Sequence, residues 1–167
     1  MFDFQPAPGI PKTDLYADLL SAAEGLTAGE ADAVANMANV AALLWDYLPD
    51  LNWAGFYRVV AGGLVLGPFA GRPACTRIAM GQGVCGTAAA TGRTQLIPDV
   101  DAFPGHIACD SASRSELVVP VLRDGAVRAV IDLDSPSVAR FDAEDAAGIE
   151  ALARQLAERI LPNAQDD

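Results

Sequence analysis

The 167-residue sequence lacks long apolar runs, a basic leader and any excess of positive charge. No apolar run approaches the roughly 18 residues of a membrane-spanning helix, and the first residues do not have the composition of a secretion signal. We therefore expect a cytoplasmic protein that does not contact a membrane. Lysine and arginine total 11 against 22 aspartates and glutamates. The resulting net charge of −11 argues against binding to nucleic acid.

Cysteine is also scarce, and its number is odd. Cys75, Cys85 and Cys109 each lie in a motif rich in small residues, and three thiols are a poor set for structural disulfides. In a reducing cytoplasm, thiols remain free unless they react. The three cysteines therefore suggest a dithiol cycle with one nucleophile, one resolving thiol and one spare.

A structural zinc site is the alternative for these thiols. Together with His106, the only histidine of the sequence, the three cysteines would supply four ligands of the right type. No two of the cysteines have the short Cys-x-x-Cys spacing that is typical of structural zinc sites, so we expect neither a metal nor a cofactor. His106 precedes Cys109 by three residues and could act as a base. A lone loop histidine is more often incidental, so we assign it no role.

The pattern of apolar residues predicts one α+β domain over residues 1–167, with N-terminal helices at 13–48 and a core at 52–161. Helical spacing predicts helices at 13–24, 31–48, 84–91 and 142–161. Strand-like runs occupy 52–60, 64–69, 76–80, 94–97, 115–122 and 127–133. Turn signals at 62–63 and 123–125 indicate two hairpins. We therefore expect a largely antiparallel sheet with the terminal helices on one face and a pocket under loops on the other.

The three cysteines differ in their surroundings. Cys85 lies at the start of the predicted helix 84–91, where free backbone amides and the helix dipole favour a thiolate. On this argument alone Cys85 is the first nucleophile candidate, although a small residue there is equally suited to burial. Cys109 lies in a loop whose polar residues could donate to an oxygen leaving sulfur. Cys75 follows a glycine- and proline-containing segment that we expect to move, as a resolving thiol must to reach its partner.

Three carboxylates are candidates for binding a cation. Asp132 and Asp134 are two residues apart on a predicted strand, so they project from the same face. A three-residue loop at 123–125 would pair Glu116 with Asp132, whereas a two-residue turn would place Glu116 on the opposite face. Like charges placed opposite each other destabilise a sheet, so convergence of all three would indicate a ligand such as an ammonium group. The alternative is that residues 134–136 only form the turn that ends the strand.

Trp53 and Tyr57 are four residues apart on a predicted strand and therefore share a face. A tryptophan beside a pocket can pack against a methyl or thioether group. The more ordinary interpretation is that both rings belong to the core.

Together these motifs resemble the free methionine-(R)-sulfoxide reductases, which are single GAF domains. The matching stretches are 52–57 (Asn-Trp-Ala-Gly-Phe-Tyr), 66–69 (Leu-Gly-Pro-Phe), 73–78 (Pro-Ala-Cys-Thr-Arg-Ile), 83–89 (Gly-Val-Cys-Gly-Thr-Ala-Ala), 98–100, 103–116 and 132–136. The resemblance spans roughly residue 52 to the C-terminal helix. Its three-cysteine pattern is specific, because ordinary GAF sensor domains lack it.

The resemblance implies a six-stranded antiparallel GAF sheet and a buried pocket for free L-methionine-(R)-sulfoxide. By the same resemblance, Cys109 attacks the sulfoxide sulfur and becomes a sulfenic acid. Cys75 then condenses with it to a disulfide, which thioredoxin reduces. Cys85 becomes a third cysteine whose part in the cycle stays open.

The resemblance also implies which residues bind the substrate. Glu116, Asp132 and Asp134 match the substrate-binding carboxylates of the family, and Trp53 matches the aromatic residue that holds the methyl end. Tyr57 shares the face of Trp53 and is a further substrate-binding candidate. The alternative function is a GAF module that senses a small molecule or a redox state without turnover. A homodimer is compatible with the sequence.

Overall fold

The computed structural model describes residue 6 and residues 9–106 and 111–160. Within these ranges the helices are α1 (Lys12–Thr27), α2 (Ala33–Tyr47), α3 (Gly83–Thr91) and α4 (Ala143–Leu156), with a 3₁₀ helix at Val100–Ala102. The strands are β1 (Trp53–Val60), β2 (Gly63–Gly71), β3 (Arg77–Ala79), β4 (Gln95–Ile97), β5 (Ser115–Arg123) and β6 (Ala126–Ser135). None of these helices is both long and apolar enough to cross a membrane.

The strands form one six-stranded sheet in the order β3-β2-β1-β6-β5-β4. Each pair of neighbouring strands is antiparallel. This confirms the predicted α+β class and the antiparallel sheet. Every predicted helix and strand also has a counterpart, although the helix predicted at 142–161 ends earlier, at Leu156.

The two faces of the sheet carry separate apolar clusters. On one face, α1, α2 and α4 cover alternate strand residues such as Leu117, Val119 and Ile131. Because successive side chains of a strand point to opposite faces, the residues between these point the other way. There α3 packs over Val118 and Val130. The predicted arrangement of terminal helices on one face is confirmed, and α3 is the helix that covers the other.

Two contacts fix the terminal helices to each other. The Tyr16 hydroxyl of α1 donates to Asp145 Oδ1 of α4 at 2.8 Å, and Lys12 Nζ lies 2.7 Å from Asp145 Oδ2. The helices can approach this closely because Gly148 has no side chain: a Cβ there would lie 2.3 Å from the Tyr16 ring. The layer behind the sheet is therefore closely packed, and it supports β5 and β6 from behind.

The β5–β6 hairpin turns through two residues, Asp124 and Gly125. Both have positive φ, 54° and 74°, as the favoured two-residue hairpin turns with left-handed backbone require. Of the two alternatives that the sequence left open, the two-residue turn is therefore the one that forms, and the three-residue loop at 123–125 does not. Arg123 instead pairs with Ala126 and closes the hairpin.

A β-bulge in β6 reverses the side-chain alternation that the two-residue turn alone would impose on the hairpin. Leu122 pairs with Val127 but Val121 pairs with Ala129, so Arg128 is an extra residue on β6. An extra residue in one strand reverses the alternation beyond it. Glu116 consequently lies opposite Asp134, not opposite Asp132 as a three-residue loop would have placed it, and it faces the same side as both aspartates.

Candidate functional site

A cavity of about 30 Å³ lies between α3 and the sheet. Its lining includes the carboxylates of Glu116, Asp132 and Asp134 together with Tyr57, Cys85 and His106. The predicted convergence of the three carboxylates is thus confirmed. This volume accommodates a water molecule or two.

Glu116 and Asp132 are both buried, each with 6% of its surface exposed. Burial is the main cause that raises the pKa of both carboxyl groups, because it disfavours the charged form. The pKa of Asp132 rises to about 7, and the charges of Asp132 and Asp134 raise that of Glu116 further. The pair therefore retains a proton at pH values where an exposed carboxyl group would have lost it.

Asp132 also has an unused acceptor. Its Oδ1 atom is buried and has no hydrogen-bond partner among the described residues. Buried polar atoms are normally paired, and an orphaned one in a native structure calls for a ligand or an ordered water. The site is therefore suited to a cation that donates hydrogen bonds.

Cys85 lies on the third residue of α3 and points at these carboxylates. Its Sγ lies 4.0 Å from Glu116 Oε1, and only 4% of the residue is exposed. Burial, followed by the charges of Asp132 and Glu116, raises the pKa of the thiol well above its usual value. The thiolate that we expected from the helix terminus is not favoured, because these effects outweigh the dipole. Cys85 is instead a neutral thiol that donates towards Glu116.

Trp53 and Tyr57 lie on the same face, as predicted, and both are almost completely buried. The Trp53 ring stacks between Tyr57, at 5.8 Å between ring centroids, and Phe69, at 5.2 Å. Tyr57 lines the cavity directly, whereas Trp53 lies behind it in the stack. Trp53 is therefore not among the residues that line the cavity.

The remaining cysteines are Cys75 and Cys109. Cys75 is half-buried, precedes β3 and is disulfide-bonded. Cys85 is a free thiol. Cys109 lies outside the described residues, so its predicted place at the pocket stays a prediction.

Two further polar residues lie at the site: His106, to which the sequence assigned no role, and Ser113, one of the loop residues that could donate to an oxygen leaving sulfur. His106 Nε2 lies 3.8 Å from Glu116 Oε2, and the mostly buried Ser113 accepts a hydrogen bond from Asn52 Nδ2 at 3.0 Å. Both line the cavity. They belong to the same polar segment as Cys109, and the concentration of polar residues there was the signal that could have indicated them.

A metal ion has one possible ligand set in the described part of the chain. Ligand atoms of Cys85, Glu116 and Asp132 lie within 4.8 Å of one another. The thiol binds metals as the thiolate, and its raised pKa opposes that form. The zinc set considered from the sequence fits less well, because Cys75 is already in a disulfide.

Comparison with known proteins agrees with this fold. The GAF domain model matches residues 26–160. A free methionine-R-sulfoxide reductase from Escherichia coli is 49% identical over 150 residues, which cover 90% of this chain and 90% of the relative. The structure of a free methionine-R-sulfoxide reductase from Neisseria meningitidis, in complex with its substrate, is 46% identical with a TM-score of 0.89. It covers 93% of this chain and 94% of that one.

The chain belongs to the free methionine-R-sulfoxide reductase family of GAF-domain proteins. A solved structure described as a putative GAF sensor protein from Burkholderia vietnamiensis is also similar, with 55% identity and a TM-score of 0.87. It covers 90% of this chain and 96% of that one. The fold of the free methionine-R-sulfoxide reductases therefore extends over nearly the whole chain.

Proposed function

We propose that this protein reduces free L-methionine-(R)-sulfoxide to L-methionine. The observation that carries the proposal is the cluster of buried Glu116 and Asp132 with half-buried Asp134, in which Asp132 Oδ1 has no partner among the described residues. Three crowded carboxylates are stabilised by a cation, and the ammonium group of a free amino acid supplies both the charge and the hydrogen-bond donors.

The same carboxylates can supply the proton that the reaction needs. The Cys109 thiolate attacks the sulfoxide sulfur, and the sulfoxide oxygen takes up a proton and moves to the cysteine sulfur as the hydroxyl of a sulfenic acid. The sulfur–oxygen bond of the sulfoxide and the transient bond between the two sulfurs both break, which releases methionine. A developing negative charge on oxygen is relieved by a nearby acid. Burial keeps a proton on the Glu116–Asp132 pair near neutral pH, which makes the pair suited to that role.

A pocket of this kind also explains restriction to the free amino acid. Within a peptide the nitrogen is an uncharged amide, so it cannot compensate the buried carboxylates. A bound amide would leave charged groups desolvated without a partner, which costs several kilocalories per mole. We therefore infer that the protein excludes methionine sulfoxide in polypeptides.

Recycling uses Cys75 in this proposal. Condensation of its thiol with the Cys109 sulfenic acid forms a disulfide and releases water. The disulfide at Cys75 and the free thiol at Cys85 support this pairing, since Cys109 is the remaining cysteine of the sequence. Thioredoxin, a dithiol reductant of a reducing cytoplasm, would return the pair to thiols. Exposed Val34 and Trp45 on α2 are compatible with a homodimer contact.

The test is turnover of purified protein with thioredoxin, thioredoxin reductase and each enantiomer of free methionine sulfoxide. We expect methionine to form from the (R)-sulfoxide and not from the (S)-sulfoxide. Binding of the (R)-sulfoxide without release of methionine, under any dithiol reductant, would contradict the proposal and favour the sensor alternative.

A further inference from the structure

Tyr57 contacts both the cavity and the segment that carries Cys75. Its ring lines the cavity, and its hydroxyl donates to the backbone carbonyl of Cys75 at 3.0 Å. Only 1% of the residue is exposed, so water does not compete for this bond. A single side chain, that of Tyr57, therefore contacts both the cavity and the backbone of Cys75.

The segment at 72–76 belongs to no strand, so hydrogen bonds to its backbone carbonyls and the disulfide at Cys75 hold it in place. Pairing of β1 with β2 ends at Gly71, and pairing of β2 with β3 starts at Arg77. Between them, Trp53 Nε1 donates to the Arg72 carbonyl at 3.2 Å, and Tyr57 donates to that of Cys75. A backbone bond from Leu66 N to the Thr76 carbonyl, at 3.1 Å, completes the attachment.

We propose that Tyr57 is a positioning residue for the recycling step, in which its hydroxyl holds the Cys75 backbone where the sulfur can reach the sulfenic acid. The inference rests on the proposed function. In that step the Cys75 thiolate attacks the sulfur of Cys109, the sulfur–sulfur bond forms, and the sulfur–oxygen bond breaks. The hydroxide takes up a proton and leaves as water, so no further oxidant is needed. Tyr57 itself transfers no proton or electron in this step.

The position of the Cys75 backbone matters because a disulfide has narrow geometric limits. The Cα atoms must lie within about 7 Å and the side chains must point towards each other. The hydrogen bond acts on the carbonyl of Cys75 itself, one bond from its Cα. Burial raises the pKa of Tyr57, with a smaller contribution from Asp132, so the hydroxyl remains a donor over the whole physiological pH range.

The test compares wild type with Tyr57→Phe, which keeps the ring and removes the hydroxyl. Rapid mixing with free methionine-(R)-sulfoxide, without reductant, gives the rate of methionine release and the rate of disulfide formation in one experiment. Loss of one hydrogen bond predicts a fall of about 2- to 10-fold in the ratio of disulfide formation to methionine release. More Cys109 sulfenic acid should be trapped by dimedone during that interval.

Tyr47→Phe is the matched control, because Tyr47 is a buried tyrosine on α2, behind the sheet. It should leave both rates unchanged. An unchanged ratio in Tyr57→Phe, or the same change in Tyr47→Phe, would overturn the inference.

A redox titration of the disulfide gives a second measurement that does not depend on the sulfoxide. If Tyr57 favours the disulfide-bonded geometry, the disulfide of Tyr57→Phe should be reduced at a less negative potential than that of wild type. An unchanged potential would overturn the inference as well. Failure of wild type to release methionine contradicts the proposed function instead, and the titration still tests Tyr57.

Discussion

Glu116 lies directly opposite Asp134 across the β5–β6 pair, and both carboxylates line the cavity. Like charges placed opposite each other in a sheet are destabilising. Asp132 is two residues along β6 on the same face and adds a third carboxylate. Such an arrangement reduces the stability of the empty site and increases its preference for a cation.

Removal of any one of these charges should weaken the reaction. Glu116→Gln, Asp132→Asn and Asp134→Asn each remove a charge that we propose faces the ammonium group, and we expect kcat/KM for the free sulfoxide to fall about 10- to 100-fold. Steady-state kinetics measures this. Asp46→Asn, at an exposed position of α2, is the matched control and should have no effect. Wild-type kinetics in all three carboxylate variants would rule out the ammonium site.

The raised pKa of Asp132 predicts a pH dependence of stability. A carboxyl group whose pKa is raised in the folded state binds its proton more tightly there than in the unfolded chain. It therefore lowers the free energy of unfolding as the pH rises from about 4 to its folded pKa of about 7. Asparagine does not titrate, so Asp132→Asn should gain stability relative to wild type across that range. Denaturant unfolding without substrate measures it, and a difference independent of pH would contradict the assigned cause.

The sequence predicted the carboxylate convergence for a reason that only partly holds in the structure. Alternation along β6 was sufficient to place Asp132 and Asp134 on one face. The position of Glu116 depended on loop length, and the two-residue turn alone would have sent it to the other face. The bulge at Arg128 restores it, and nothing in the local composition marks that residue as an extra one.

Like the bulge at Arg128, the protonation state of Cys85 could not be predicted from the sequence. The start of α3 was visible from residues 81–84, and the helix dipole then favoured a thiolate. What decides the protonation of the thiol is its burial against Glu116 and Asp132, and those residues are more than 30 positions away in the sequence. Tertiary contacts of that kind cannot be read from local spacing.

Trp53→Ala should reduce both stability and activity. The ring is buried and stacked between Tyr57 and Phe69, so its loss should cost about 3–5 kcal/mol of unfolding free energy. We also expect lower kcat/KM, because the methyl-binding side of the pocket loses its support. Melting curves and kinetics are measured together, with exposed Trp45→Ala as control. A large loss of stability with unchanged kcat/KM would make Trp53 a core residue only.

Serine variants of the three cysteines should give different amounts of methionine in single-turnover experiments. Cys109→Ser should release no methionine, because a hydroxyl is a much weaker nucleophile than a thiolate. Cys75→Ser should release about one methionine per enzyme and then stop with a sulfenic acid at Cys109. Cys85→Ser should retain much of both steps, since the buried hydroxyl can still donate towards Glu116. Loss of methionine release in Cys85→Ser, with release retained in Cys109→Ser, would make Cys85 the nucleophile.

Recognition of the ammonium group by the buried carboxylates is tested most directly by comparing free methionine-(R)-sulfoxide with its N-acetyl derivative. Acetylation removes the positive charge and leaves the sulfoxide unchanged. The measurement is kcat/KM for the two compounds under the same reductant. We expect turnover of the free amino acid and no detectable turnover of the N-acetyl form. Comparable kcat/KM values would contradict the assignment of Glu116, Asp132 and Asp134 to the ammonium group.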